Sequence, residues 1–114
     1  MIEQVRDKGR IEHMLEAIGN LFDFTKDKTF EQFQADKILK FATIKNIEII
    51  GEAAYKITNE FRELHQEIEW KDIIGMRHVM VHDYYQISDK EAWLVIQNDL
   101  KPLKEKLEDL LKTL

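Results

Sequence analysis

Eleven consecutive residues concentrate the side chains of this chain that can do chemistry: Gly75-Met76-Arg77-His78-Val79-Met80-Val81-His82-Asp83-Tyr84-Tyr85. Two histidines, an arginine, two tyrosines and an aspartate stand here among apolar neighbours. On a continuous helix, positions 77 and 84 lie about two turns apart on one face. Position 82 falls on a neighbouring face, and a local break after Val81 would swing it toward Arg77. A guanidinium, an imidazole and a phenol would then meet near one point. That set suits phosphodiester chemistry. The guanidinium presents a planar fork of donors to a phosphate and offsets the charge that builds in the transition state. A neutral imidazole, whose unperturbed pKa is about 6.5, takes or gives a proton near neutral pH. With RNA as substrate the 2′-hydroxyl is itself a nucleophile, so no metal and no other cofactor is needed.

The same residues admit blander readings. An arginine on a helix surface is ordinarily solvated or ion-paired, and a histidine near a helix end is ordinarily a cap or a packing residue. His78 and His82 are four apart, as a metal-binding pair would be. No third ligand is evident, and the run His-Val-Met-Val-His lacks the glutamate of a zinc-protease motif. Glu52, set in an apolar stretch, suits an ion pair with Arg77 or a helix terminus, or a role in tuning the site. Lys26, Lys28, Lys37 and Lys40 are candidates to hold RNA or are simply solvated. Trp70 and Trp93 read as core residues rather than base-stacking platforms.

The elements that must position this segment are helical. Ile11, Met14, Leu15, Ile18, Leu21 and Phe22 recur at steps of three and four, which predicts an amphipathic helix from about Ile2 to Phe24. Thr25 to Thr29 is polar and reads as a loop. Thr29 and Gln32 have capping-box spacing, so a short helix begins at Phe30. Ile38, Leu39, Ala42, Ile47, Ile50, Ala53, Ala54, Ile57, Phe61 and Leu64 continue the helical pattern from Asp36. A straight helix of that length would outrun a small domain, so a bend or break is expected, or a last turn outside the bundle. Gly51, Ala53 and Ala54 give this helix a thin surface for a close neighbour. His65 to Ile68 is a connector anchored by Trp70, and Asp72 is placed to cap the helix that carries Arg77. Ser88 and Glu91 again have capping-box spacing, ahead of a helix through Trp93, Ile96, Leu100, Leu103, Leu107, Leu110 and Leu111. Pro102, the single proline, should kink or restart it. The expected fold is all-α: one domain over 1–114, an up-and-down bundle of four main helices plus a short extra helix.

Composition agrees. The 114 residues include four glycines and one proline, fewer turn residues than an all-β domain of this size needs. There is no cysteine, hence no disulfide and no thiolate chemistry, which points to the cytoplasm. Met1 to Asp7 is charged and contains no apolar signal core, and no apolar run is long enough to span a bilayer. Seventeen Lys and Arg against 22 Asp and Glu give a net charge of −5, which excludes a general nucleic-acid coat protein but not a small RNA-processing site with a few placed cations.

Arg77, four residues, His82, one residue and Tyr84 together resemble the Arg-x4-His-x-Tyr motif of HepT-like toxins in the HEPN ribonuclease superfamily. The flanking blocks are similar as well: Asn46 to Ala54 to the family's central helix, Trp70 to Arg77 to its approach to the active site, and Asp99 to Leu103 to its last helix. The resemblance covers nearly the whole chain. It implies a helical-bundle ribonuclease that cuts RNA without a metal, as a homodimer with the motifs facing each other across the two-fold axis. It implies the toxin half of a toxin–antitoxin pair, silenced when a minimal, MntA-like nucleotidyltransferase adds AMP to the motif tyrosine. Carried onto this chain, Arg77 and His82 are catalytic, His78 helps orient the phosphate, and Tyr84 is the modified residue. The competing expectation is a non-catalytic helical module whose polar trio only docks a nucleotidyltransferase or a nucleotide.

Overall fold

The stripe of Ile11, Met14, Ile18 and Leu21 is fully buried, so the first helix lies with its apolar side on the core as its three- and four-residue steps require. The computed structural model describes residues 2–82 and 88–114, with side chains described for 5–76 and 88–114. In chain order the helices are α1 (Ile2–Thr25), α2 (Phe30–Ala35), α3 (Lys37–Lys56), α4 (Asn59–Leu64), α5 (Trp70–His82), α6 (Asp89–Leu94) and α7 (Leu100–Lys112), with a π-helical turn (Val95–Asp99) joining the last two. The fold is all-α, and the described residues contain no strand.

Local chemistry sets the boundaries. After α1 the chain turns through Asp27, whose φ of 59° is left-handed, a conformation that aspartate tolerates better than most residues. Thr29 and Gln32 form the expected reciprocal capping box at the start of α2. Asp36 then serves two helices. Its backbone N–H closes α2 on Phe33, and its side chain accepts from Leu39 N–H at 3.0 Å to open α3. Ser88 Oγ accepts from Glu91 N–H at 3.0 Å and opens α6.

The long pattern from Asp36 to Leu64 breaks, as its length demands. Ile57 and Thr58 adopt extended backbone, and α4 follows. This adds a second short helix to the one expected. Two residues of that pattern do not face the core: Ile38 is 82% exposed and Leu64 77%. Ile38 is exposed beside Leu39, which packs with Phe33 and Ala92, and Leu64 is the last residue of α4. Asp72 does not cap α5 either. The helix begins two residues earlier, at Trp70, and Asp72 lies inside its first turn, where its charge favours the helix N-terminus.

α3 is the central strut, packed on α1 along one side and on α5 along the other. Two ties fix α1 and α3 as antiparallel neighbours. The buried Asp7 carboxylate accepts from Thr58 N–H at 3.0 Å and from Thr58 Oγ1 at 2.7 Å. At the other end, Asn20 Nδ2 donates to Asn46 Oδ1 at 3.3 Å. Gly51, Ala53 and Ala54 are all buried on α3, which is the thin surface in use. Leu100, Leu103, Leu107 and Leu110 of α7 complete the same core. A smaller cluster lies apart from it: Phe33, Leu39 and Ala92, with Phe30 and Trp93 packed on them and the Phe33 and Trp93 rings 5.2 Å apart.

The π turn accommodates Pro102. Leu100 N–H bonds to Val95 C=O rather than to Ile96, and α7 restarts at Leu100. Pro102 then falls in a first turn, where a missing N–H leaves no intrahelical bond unmade.

Thr43 is wholly buried on α3, and its hydroxyl has no hydrogen-bond partner among the described residues. A lone hydroxyl in a dry site costs stability that a methyl group of similar shape would not. Thr43→Val is therefore expected to stabilise the chain by about 1 kcal/mol, read as a higher urea midpoint with an unchanged slope. A lower midpoint would mean that the hydroxyl is satisfied.

Candidate active site

The helix that carries the motif is pinned at its start. Trp70 is buried, and its indole N–H donates to His65 C=O at 2.9 Å. Its ring meets Phe61 edge-on at 6.4 Å. This is the anchoring expected of Trp70, with His65 to Glu69 as the connector. Ile73 follows into the core, and Met76 packs half-buried against it. These contacts fix the direction of α5 before it reaches Arg77.

Arg77, His78 and His82 all lie on α5, which runs unbroken through His82. The break after Val81 that would swing His82 toward Arg77 is therefore absent. With regular geometry the two positions stand about 7.5 Å apart along the axis and about 140° apart around it. Tyr84, together with Asp83 and Tyr85, lies outside the described residues.

α5 starts beside the end of the α3–α4 segment and packs against α3. Glu52 on that helix is ion-paired with Lys56, Oε1 to Nζ 3.5 Å, one helical turn on. Of the four lysines considered for RNA, Lys40 pairs with Asp89 at 3.4 Å, while Lys26, Lys28 and Lys37 are exposed. Trp93 stacks with phenylalanines in the smaller cluster, as a packing residue does.

A groove of about 390 Å³ opens between the first half of α5 and the π turn and start of α7. Ile73, Met76 and Leu103 line it, and its rim carries Glu69, Asp72 and Asp99 against Lys106, which sits 4.0 Å from Glu69. Its acid-rich rim repels a polyanion, so it does not serve a phosphate backbone. Sequence reasoning missed this groove because its walls come from segments some 25 residues apart. The only local signal was Pro102, which forces the π turn.

The family model described as Ribonuclease HepT-like matches residues 14–110. This chain belongs to the HepT-like ribonuclease family. A Thermococcus cleftensis protein named probable ribonuclease HepT is 39% identical over 105 residues, covering 92% of this chain and 96% of that protein. A Methanocaldococcus jannaschii protein provisionally named an RNase is 34% identical over 95 residues, covering 83% and 87% respectively. Another such protein, from Caldanaerobacter subterraneus subsp. tengcongensis, is 33% identical over 102 residues, covering 90% and 91%. No solved structure matches the chain. The family resemblance read from the Arg77 to Tyr84 motif thus holds over most of the sequence, and with it the class of enzyme, a nuclease acting on RNA. None of the described helices is long and apolar enough to cross a membrane.

Proposed function

We propose that this HepT-like chain is a metal-independent endoribonuclease of the cytoplasm, the toxin of a toxin–antitoxin pair, with Arg77 and His82 as its catalytic residues. The observation that carries the reading is the match to a ribonuclease family over 14–110, which includes an intact Arg77-x4-His82-x-Tyr84 set. His82 removes the proton of the RNA 2′-hydroxyl. The 2′-oxygen attacks the adjacent phosphorus, and Arg77 holds the non-bridging oxygens as negative charge grows on them. The 5′-oxygen leaves with a proton returned by the imidazole. The products are a 2′,3′-cyclic phosphate and a 5′-hydroxyl, with no water and no metal consumed. His78, one residue after Arg77, helps orient the phosphate.

The test is cleavage of total RNA by purified protein in EDTA. Activity is expected to survive chelation and to fall by at least about a hundredfold in His82→Ala and in Arg77→Ala, with both variants still helical by circular dichroism. Activity lost in EDTA and rescued by a divalent ion would refute the metal-free route. Activity retained in both variants would refute the site and favour the non-catalytic module.

The chain acts as a homodimer in this reading. The angular separation of Arg77 and His82 on one unbroken helix supports a site completed across a two-fold axis, with Ile73 to Tyr85 near the interface. Sedimentation at micromolar concentration should give a dimer, and a monomer there would count against it.

Tyr84 is the regulatory handle, modified by an MntA-like nucleotidyltransferase. AMP on its phenol would set a phosphodiester anion beside Arg77 and occupy the donors that RNA needs. Incubation with ATP and the cognate transferase should place AMP on the peptide containing Tyr84, by mass spectrometry, and abolish cleavage without unfolding. AMP found only on Tyr85 or elsewhere, or full silencing of Tyr84→Phe, would refute the assignment.

A further inference from the structure

A second groove, of about 310 Å³, lies between α1 and α3 and has the opposite electrostatic character to the one beside α7. Arg10 and His13 line it from α1, and Lys45, Glu48, Glu52 and Lys56 from α3. Two lysines, the Arg10 guanidinium and the His13 imidazole thus share the groove with two carboxylates, and Arg10 also faces the buried Asp7, in a chain whose net charge is −5. These residues share a groove because the Asp7–Thr58 and Asn20–Asn46 ties hold the two helices antiparallel.

The geometry points to this α1–α3 groove as a track for the phosphate backbone of single-stranded RNA, outside the Arg77–His82 centre. The inference rests on the ribonuclease reading for its substrate. A polyanion must be held somewhere on an acidic molecule, and these two grooves differ in how well they suit one. The other has an acid-rich rim, whereas this one is the place where cations from two helices converge. The two lysines are available for exchange. Lys45 pairs with Glu48 at 3.8 Å and Lys56 with Glu52 at 3.5 Å, each within one helical turn, and the lysine side chains are 66% and 56% exposed. Pairs that exposed are weak and screened by salt, so phosphates can replace the carboxylates as partners of the ammonium groups. Arg10 also lies 3.9 Å from the buried Asp7 carboxylate, which holds the guanidinium at the groove wall. α3 itself separates this groove from α5, so RNA crossing the exposed side of α3 would reach both.

The experiment measures binding and cleavage separately. A fluorescent 20-nucleotide RNA is titrated with the His82→Ala protein by anisotropy over a range of salt, and the same RNA is cleaved by protein with His82 intact. In each background Lys45→Gln/Lys56→Gln is compared with its parent and with Lys104→Gln/Lys112→Gln, a charge-matched control on α7. The groove variant is expected to weaken binding roughly fivefold or more at low salt and to lower the salt slope by about 1.4, two contacts at about 0.7 each. Its KM should rise with kcat within about twofold of the parent, since these groups hold substrate without touching the reacting atoms. Glu48→Gln should tighten binding. Arg10→Gln serves as a further single variant, because the lysine pair tests the groove without disturbing Asp7. The inference is overturned if the groove and control variants weaken binding equally, if neither does, or if the parent fails to bind RNA. If the parent binds but does not cleave, the ribonuclease reading fails while the salt slopes still decide the groove.

Discussion

The carboxylate of Asp7 is almost entirely removed from water, and the arrangement of the helices depends on how that charge is satisfied. A buried carboxylate without partners would cost several kcal/mol. Thr58 answers it with two donors, its backbone N–H and its hydroxyl, and the Arg10 guanidinium stands at the edge. The same hydroxyl accepts from Phe61 N–H at 3.3 Å and so caps α4. One threonine therefore sits at the end of α3, opens α4 and binds α1, using both faces of its oxygen. Phe61, set by that cap, receives Trp70, and Trp70 starts the helix that carries Arg77. The direction in which α5 leaves the connector is thus linked, through Thr58, Phe61 and Trp70, to a polar contact with α1.

Much of this fold is legible in the sequence because helical periodicity reports burial directly. The α1 stripe, the Thr29–Gln32 box, the need for a break in the long central pattern and the restart at Pro102 all follow from steps of three and four, capping chemistry and the rise per residue. Periodicity fails where it has no access to the partner. Ile38 and Leu64 continue an apolar pattern, but at its two ends the packing takes Leu39 and Phe61 instead. Asp72 has the residue type of a cap, but the packing of Trp70 starts the helix earlier. Asp7 reads as one more surface acid, since its partner Thr58 is 51 positions away and nothing near it signals the meeting.

The candidate site residues divide in the same way. Arg77, His78, His82 and Tyr84 stand out because their types cluster within eight positions. The cations of the α1–α3 groove do not. Arg10 and His13 precede Lys45 and Lys56 by more than 30 positions, and each alone looks like an ordinary solvated charge. Only the register between two helices makes them neighbours, and that register is fixed by polar contacts which hydrophobic patterning does not record.

The π turn has a consequence for how this chain tolerates changes in length. Ala92, Ile96 and Leu100 are spaced four and four, and all are buried, Ala92 in the smaller cluster and the other two in the main core. In an ordinary α-helix two such steps would rotate the third residue about 80° away from the first, and α7 would turn its leucines off the core. The wider turn absorbs that drift, so Val95–Asp99 works as a phase adjuster between α6 and α7. Loss of one residue inside it would keep Leu103, Leu107 and Leu110 directed inward but would set Pro102 in the interior of an ordinary α-helix, where its ring meets the carbonyl four residues back. The same loss one turn later would rotate the rest of the C-terminal helix by a quarter turn or more. The turn is thus the point of the C-terminal helix at which a lost residue leaves the leucine register intact, with the strain falling on Pro102 and on the groove beside Met76.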